Sequence, residues 1–278
     1  MTTWQTGRFR IDLARPRVMG IVNVTPDSFF DGGQFAHADE ARAHCDLLVA
    51  QGADILDIGG ESTRPGARLP DTAEQLARVL PVLRHAVTLG VPVSVDTADP
   101  VVMTEALALG VDILNDVRAL QAPGALAVAA AHPTVGVCLM HMQGEPGSMQ
   151  VAPHYDNDDV VAGVSAFLAE RRDAALAAGI ARERIALDPG IGFGKTPAHN
   201  LALATRQRQL LELGCPLLLG WSRKSTLGQI TGRPVGERLA ASVAAALAAV
   251  QQGAAIVRVH DVAETVDALK VWHALTSV

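Results

Sequence analysis

The sequence predicts a (β/α)8 barrel, an α/β fold, and three observations carry that expectation. Eight short β-branched runs alternate with longer Ala/Leu-rich stretches of helical periodicity. The runs are apolar on both faces, as parallel strands covered by helices must be. A polar residue stands at or just past the end of every run, and a barrel gathers all those positions at one mouth. An open doubly wound sheet is the alternative that the same alternation allows.

The elements follow in order. The opening MTTWQTGRFRIDLARP (1–16) precedes the alternation and reads as an N-terminal extension, with a small hairpin as its expected form. It lacks the long apolar segment of a secretory signal. The strands are VMGIV (18–22), DILDI (54–58), VPVSV (91–95), DILN (112–115), VGVCLM (135–140), RIALD (184–188), PLLLG (216–220) and AIVRV (255–259). Amphipathic stretches such as ADEARAHCDLLVAQG, TAEQLARVLPVLRHAVTLG, DDVVAGVSAFLAERRDAALAAG and GERLAASVAAALAAVQQG supply helices between them. Gly52, Gly90, Gly110, Gly179 and Gly253 stand where helices end and a left-handed residue is needed. No Pro/Ser-rich or repetitive stretch interrupts the series, so residues 1–278 are expected to form a single domain.

Composition narrows the function. Apolar residues are 49% of the chain and aromatics only 4%, so the core is built mainly from Ala, Val, Leu and Ile. A formal net charge of −6 argues against a general nucleic-acid surface, and any anionic ligand must be met by a local cluster. The apolar runs fall far short of the ~20 residues that cross a bilayer, so no membrane partner is expected. Cys45, Cys138 and Cys215 are scattered without a CxxC pair and are expected to be reduced and buried. The expected setting is a reducing, cytoplasmic one.

The strand ends hold the chemistry: Asn23, Asp57, Asp96-Thr97, Asn115-Asp116, Met140-His141, Asp188, then Ser222-Arg223-Lys224, and finally Arg258 and His260. DPGIGFGKT (188–196) imitates a phosphate loop, but Pro189 stands where GxxxxGK[ST] needs Gly, and Lys195 breaks GxGxxG. The glycines there are expected to let backbone approach a ligand, with Phe193 as an apolar wall; a purely structural turn is the other reading. GWSRKS (220–225) and RVH (258–260) follow the last two strands, the region where barrels often bind phosphate. They form a basic corner suited to a phosphorylated or diphosphorylated substrate. Alternatively, Arg223 and Lys224 only neutralise Asp96 and Asp188. Asp57, Asp96, Asn115 and Asp188 together would satisfy an amino-pyrimidinone edge, and buried carboxylates need such partners. The nine histidines never take HxH, HxxxH or HExxH spacing, which leaves open a hard, oxygen-liganded Mg2+ held partly by diphosphate. No GxSxG elbow and no Cys/His/Asn nucleophile arrangement is present. The loop NVTPDSFFDGG (23–33) is odd: turn chemistry accounts for Pro26, Gly32 and Gly33 but not for adjacent Phe29 and Phe30.

Taken in order, GIVNVTPDSFFDGG, DIGGESTRPGA, SVDT, ILNDV, LDPGIGFGK, GWSRKS and RVHDV closely resemble the dihydropteroate synthase family of the folate pathway, from about Met19 to about Val262. The resemblance implies a (β/α)8 barrel, a homodimer, and a Mg2+-using enzyme. Such an enzyme joins p-aminobenzoate to 6-hydroxymethyl-7,8-dihydropterin diphosphate and releases diphosphate. It further implies that Asp96, Asn115, Asp188 and Lys224 hydrogen-bond the pterin, with Met140 and Phe193 against its faces. Asn23, Arg64, Arg258 and His260 would hold diphosphate, Asn23 also touching the metal. Phe29, Thr63, Arg64, Pro65 and Ser222 would shape the p-aminobenzoate end, together with Lys224, and Asp31 would help place metal and amine. Phe29 would sit on a lid closed by the second substrate; Phe30 acquires no role. Asp57 matches the motif, and whether it contacts substrate or orients neighbours stays open. Trp221 departs from the family's smaller or aliphatic residue, which bears on loop packing and not on activity. The reaction expected is an SN1-like exchange of C–O for C–N, governed by positioning and electrostatics, with cations meeting the diphosphate. The pterin-binding barrel of corrinoid-dependent methyltransferases shares the acids and the Asn and is the nearer rival; a non-catalytic pterin-binding relative is the other.

Overall fold

The structure, a computed structural model, describes residues 2–25, 34–61, 70–144 and 148–276, with the backbone alone at 34–37. The extension does form a hairpin, β1 (Thr3–Thr6) paired antiparallel with β2 (Phe9–Asp12). The alternation then runs β3 (Arg17–Asn23), α1 (Gln34–Ala50), β4 (Ile55–Gly59), α2 (Thr72–Ala86), β5 (Val93–Asp96), α3 (Pro100–Ala108), β6 (Ile113–Asp116), α4 (Ala125–Ala131), β7 (Gly136–Met140). It continues through α5 (Val160–Ala177), β8 (Ile185–Asp188), α6 (Pro197–Thr205), β9 (Leu218–Leu219), α7 (Ser225–Thr231), α8 (Leu239–Gln251), β10 (Ile256–Val259) and α9 (Val262–Thr276). Local chemistry sets the starts: Asp71, Asp99 and Thr196 accept from first-turn amides of α2, α3 and α6. The five glycines expected to close helices all have positive φ, between +77° and +97°.

The eight-stranded sheet is parallel throughout, in the order β8-β7-β6-β5-β4-β3-β10-β9. It closes between β8 and β9 through a parallel bridge of Leu187 with Leu217 and a hydrogen bond of 2.9 Å from Leu187 N–H to Pro216 O. A closed barrel therefore replaces the open-sheet alternative. The predicted run 216–220 shortens to two residues of strand, since Pro216 has no N–H to give to a ladder.

Two cores flank the strands. Outward-facing Val, Leu and Ile pack against Ala- and Leu-rich helix faces; Trp221, 5% exposed, belongs to this core and turns away from the mouth. Inside the barrel, Met19, Ile55, Ile113, Cys138, Ala186, Leu218 and Ile256 form an apolar floor, and Trp4 and Ile11 of the hairpin close it from below. Trp4 is fully buried and donates Nε1–H to Arg184 O at 2.9 Å. Arg8 joins the same plug to the barrel by pairing with buried Asp112 at 2.8 Å. All three cysteines are free and buried. Among the described residues no helix is long and apolar enough to cross a membrane.

Candidate active site

Side chains alternate along a strand, so residues two positions above the apolar floor also point inward. That step carries Met19 to Ile21, Ile55 to Asp57, Ile113 to Asn115, Cys138 to Met140, Ala186 to Asp188, Leu218 to Gly220 and Ile256 to Arg258. Asp96 joins this layer from β5, register-paired with Asn115. A further step brings Asn23, Val117, Ser222 and His260 to the rim. Asn23, Asp96, Asn115, Met140, Asp188, Phe193, Ser222, Lys224, Arg258 and His260 line one cavity of about 850 Å3. The sequence-predicted residues that the structure describes therefore converge. Phe29, Phe30, Asp31, Thr63, Arg64 and Pro65 lie outside the described residues.

Charge is concentrated at the bottom of this cavity. Arg258 donates from Nε to Asp57 Oδ2 at 2.6 Å and from Nη2 to Asp96 Oδ2 at 2.8 Å. Asn115 donates Nδ2–H to the same Asp57 oxygen at 3.1 Å. Asp57 is fully buried and does not line the cavity, so in this structure it orients Asn115 and Arg258. Burial pushes Asp96 up to about 7 against the opposing charge of Arg258. Burial likewise pushes Asp188 up to about 6, opposed by a 2.7 Å bond from Gly190 N and by Lys224, Arg258 and Lys195. Lys224 is pushed down to about 8, by burial first and then by Arg258.

Phe193 and Met140 make the apolar walls, in one small cluster with Val117 and Met149. Lys224 Nζ lies 4.0 Å from the Phe193 ring centroid, within cation–π range. The glycine loop before Lys195 was expected to admit a ligand, and its close approach is instead to protein. A Cβ on Gly190 (φ +68°) would lie 1.9 Å from His141 O, and one on Gly194 (φ +62°) 2.4 Å from Gln143 O. Gly192 faces a cavity residue, with its hypothetical Cβ 3.2 Å from Lys224 Cδ, and the Cβ on Gly190 would also come within 3.4 Å of Met140 Cγ. The structural reading of this loop therefore holds at two of its three glycines.

The expected basic corner is also redistributed. Arg223, at φ +59°, pairs with Asp261 at 2.5 Å, and Arg258 is held by carboxylates below. Ser222 Oγ and His260 Nδ1 are 3.0 Å apart, and Ser222 Oγ also accepts from His260 N at 3.2 Å. Burial, reinforced by Arg223 and Arg258, pushes His260 down to about 3. As placed here, His260 is a neutral hydrogen-bonding group. Glu40, His44 and Glu61 also line the cavity; Glu40 and His44 are single polar residues on a helix with no motif around them, whereas Glu61 stands within DIGGESTRPGA. His141, beside Met140, points out of the barrel to Lys195 at 2.9 Å. Asp116, beside Asn115, likewise turns away and accepts from Arg118 N and Leu120 N.

Among the described residues no group of three or more His, Cys, Asp or Glu could hold a metal ion. Asn23 offers one hard oxygen at the rim, a donor set that fits an ion carried by a phosphorylated ligand and not one bound by protein alone.

Two carboxylates, an amide and a lysine, set between an aromatic and a thioether wall, define a barrel that binds a flat heterocycle by its hydrogen-bonding edge. The model of the pterin binding enzyme family matches residues 19–260. The chain is 55% identical to dihydropteroate synthase of Neisseria meningitidis serogroup B over 278 residues, 98% of this chain and 97% of that protein. It is 53% identical to the Xanthomonas albilineans dihydropteroate synthase solved with 4-aminobenzoic acid, covering 97% of this chain and 96% of that one with a TM-score of 0.91. The structure of that enzyme with 7,8-dihydropteroate superposes with a TM-score of 0.88 at 50% identity, over 97% of each chain. The chain thus belongs to the dihydropteroate synthase family of pterin-binding enzymes.

Proposed function

We propose that this chain condenses 6-hydroxymethyl-7,8-dihydropterin diphosphate with p-aminobenzoate, giving 7,8-dihydropteroate and diphosphate. The observation that carries the reading is the convergence of Asp96, Asn115, Asp188, Lys224 and Arg258 in one cavity with Ser222 and His260 at its rim. The ionised carboxylates accept from the amino and ring N–H groups of the pterin, Asn115 and Lys224 complete its polar edge, and Met140 and Phe193 enclose its faces. Ser222 and the first two loops, with Phe29, Thr63, Arg64 and Pro65, receive p-aminobenzoate; Asp31 helps place the amine.

The bond from the pterin methylene to oxygen breaks with its electron pair leaving on diphosphate. The pterin ring nitrogens stabilise the resulting cation, and Asp96 and Asp188 stabilise it electrostatically. The arylamine nitrogen then forms the C–N bond and gives its extra proton to water or to the departing diphosphate. Asn23, Arg64, Arg258 and His260 meet the diphosphate. Asn23 would hold Mg2+ alongside the diphosphate, and the ion would supply charge neutralisation to the leaving group. The enzyme is proposed to act as a cytoplasmic homodimer.

Incubation with both substrates, followed by measurement of released diphosphate, tests the proposal. Release that depends on p-aminobenzoate and on Mg2+ is expected. Methyltetrahydrofolate turnover without diphosphate release would assign the barrel to the corrinoid-linked methyltransferases. Calorimetric binding of the pterin diphosphate with no product would assign it to a non-catalytic role.

A further inference from the structure

Lys195 ends the loop that carries Phe193, and it is only 2% exposed. Among the described residues its Nζ has three acceptors: His141 Nδ1 at 2.9 Å, Phe193 O at 3.0 Å and His141 O at 3.4 Å. None is a carboxylate. Burying a lysine in this way costs side-chain entropy and solvation, and burial pushes it down to about 7. A methionine or leucine would fill the same volume without that cost, so the amine must be retained for what it touches.

What it touches is the back of both pocket walls. His141 follows Met140, so one amine joins the residue behind the first wall to the carbonyl of Phe193, the second. The surroundings are stiff. The His141 ring meets Phe167 edge-on at 4.9 Å between centroids, and Tyr155 Oη donates to Gly194 O at 2.9 Å. His141 N donates to the main-chain O of Asp188 at 3.0 Å, which ties the strand end that carries Asp188 to the same assembly. Burial and Lys195 push His141 down to about 3, so the imidazole is neutral and Nδ1 accepts from the ammonium. The charges facing Lys195 are Asp188 from β8 and Lys224 from the turn before α7. Those facing Asp188 are Lys224, Arg258 and Lys195, beside the Gly190 amide.

We propose that Lys195 is a positioning residue for the pterin: by tying His141 to Phe193 it sets the separation of the Met140 and Phe193 walls and places positive charge behind Asp188. This rests on the pterin assignment of the cavity. It gives the glycine loop its purpose, because glycine at 190 and 194 lets the loop lie against the backbone of His141 and Gln143, close enough for the amine to join His141 to Phe193.

Calorimetric binding of 6-hydroxymethylpterin to the wild type, Lys195→Met and Lys195→Gln tests the proposal, with thermal melting to establish folding. Lys195→Met keeps the shape and loses donors and charge, so its Kd is expected to rise about tenfold or more. The acid limb of its binding curve is expected to move to higher pH, because Asp188 loses a nearby cation. KM for p-aminobenzoate at saturating pterin diphosphate is expected to stay within about twofold, a split that general loosening of the fold would not give. A wild type that does not bind the pterin would refute the assignment of the cavity. A wild type that binds, beside a folded Lys195→Met of unchanged Kd and pH profile, would overturn the role of Lys195. If Lys195→Met does not melt cooperatively, Lys195→Gln carries the same comparison.

Discussion

Arg258 Nε lies 2.6 Å from Oδ2 of Asp57, a carboxylate with no exposed surface whose other oxygen has no hydrogen-bond partner among the described residues. The pair crosses from β10 to β4 inside the barrel and also anchors Asn115. Removing one member of a buried pair leaves the other uncompensated, which outweighs the modest net worth of the intact pair. Asp57→Ala is therefore expected to lower unfolding free energy by on the order of 3 kcal/mol. Asp57→Asn keeps an acceptor for Arg258 and should cost less than half of that. Urea unfolding of both variants checks the order, and equal losses would show that the charge of Asp57, not a neutral acceptor at its place, carries the effect.

Asp96 and Asp188 are pushed up, by burial above all, to about 7 and about 6. A carboxylate with a raised folded-state pKa holds its proton more tightly when folded, so its stability contribution is present below the unfolded value. That contribution is lost as pH rises through 6 to 7. Pterin binding runs the opposite way, because its N–H groups need ionised acceptors. The rise in melting temperature given by 6-hydroxymethylpterin should grow from pH 5.5 to pH 8. Asp96→Asn should flatten the upper part of that profile.

Gly190 and Gly192 share a loop and a positive φ, yet alanine at each should fail differently. At Gly190 the new Cβ would collide with the rigid carbonyl of His141, 1.9 Å away. Gly190→Ala is expected to destabilise by more than about 2 kcal/mol. At Gly192 the obstacle is the flexible chain of Lys224, 3.2 Å away. Gly192→Ala should cost about 1 kcal/mol of stability, mostly backbone strain, while weakening pterin binding by displacing Lys224. Paired melting and binding measurements separate the two.

The barrel was legible because its signal is periodic: apolar runs, helical stretches and closing glycines repeat, and each repeat supports the others. The ligand edge was legible because polar residues stood at the strand ends. Charge pairing was not. Asp57 sits 201 positions from Arg258 in the chain, and only barrel closure makes them neighbours. The choice within adjacent pairs was available and unused. The two-residue step from the floor selects Asn115 over Asp116 and Met140 over His141 for the cavity. It also selects Arg258 with His260. Glycine at 190, 192 and 194 announced close approach, but sequence cannot say whether the approaching group is ligand or protein.

Trp4 closes the barrel floor from a hairpin that precedes the first barrel strand, 0% exposed and bonded to Arg184 O. Truncating a fully buried indole leaves a cavity and an unmet carbonyl, so Trp4→Ala should cost about 3–5 kcal/mol. At this chain length that corresponds to a fall in melting temperature of roughly 10 °C. The site is built one and two steps above the floor, so KM values measured well below the new melting temperature should be unchanged. A large KM change at that temperature would mean that the hairpin shapes the mouth.

His260 is neutral in the free protein because burial, with Arg223 and Arg258 nearby, pushes it down to about 3. Its stability contribution is present above the unfolded value of about 6.5 and is lost as pH falls from there toward 3. Diphosphate reverses the balance, since a multiply charged anion at the rim favours imidazolium and offsets the two arginines. Binding should therefore draw a proton onto His260, hydrogen-bonded through Nδ1 to Ser222 at 3.0 Å. Calorimetry with diphosphate in buffers of different ionisation enthalpy reads that proton directly, and the ligand's own titration cancels when wild type and His260→Gln are compared at one pH. The wild type is expected to take up a larger fraction of a proton than His260→Gln. Equal uptake would mean that His260 meets the leaving group as a neutral donor, leaving Arg258 and the metal to carry its charge.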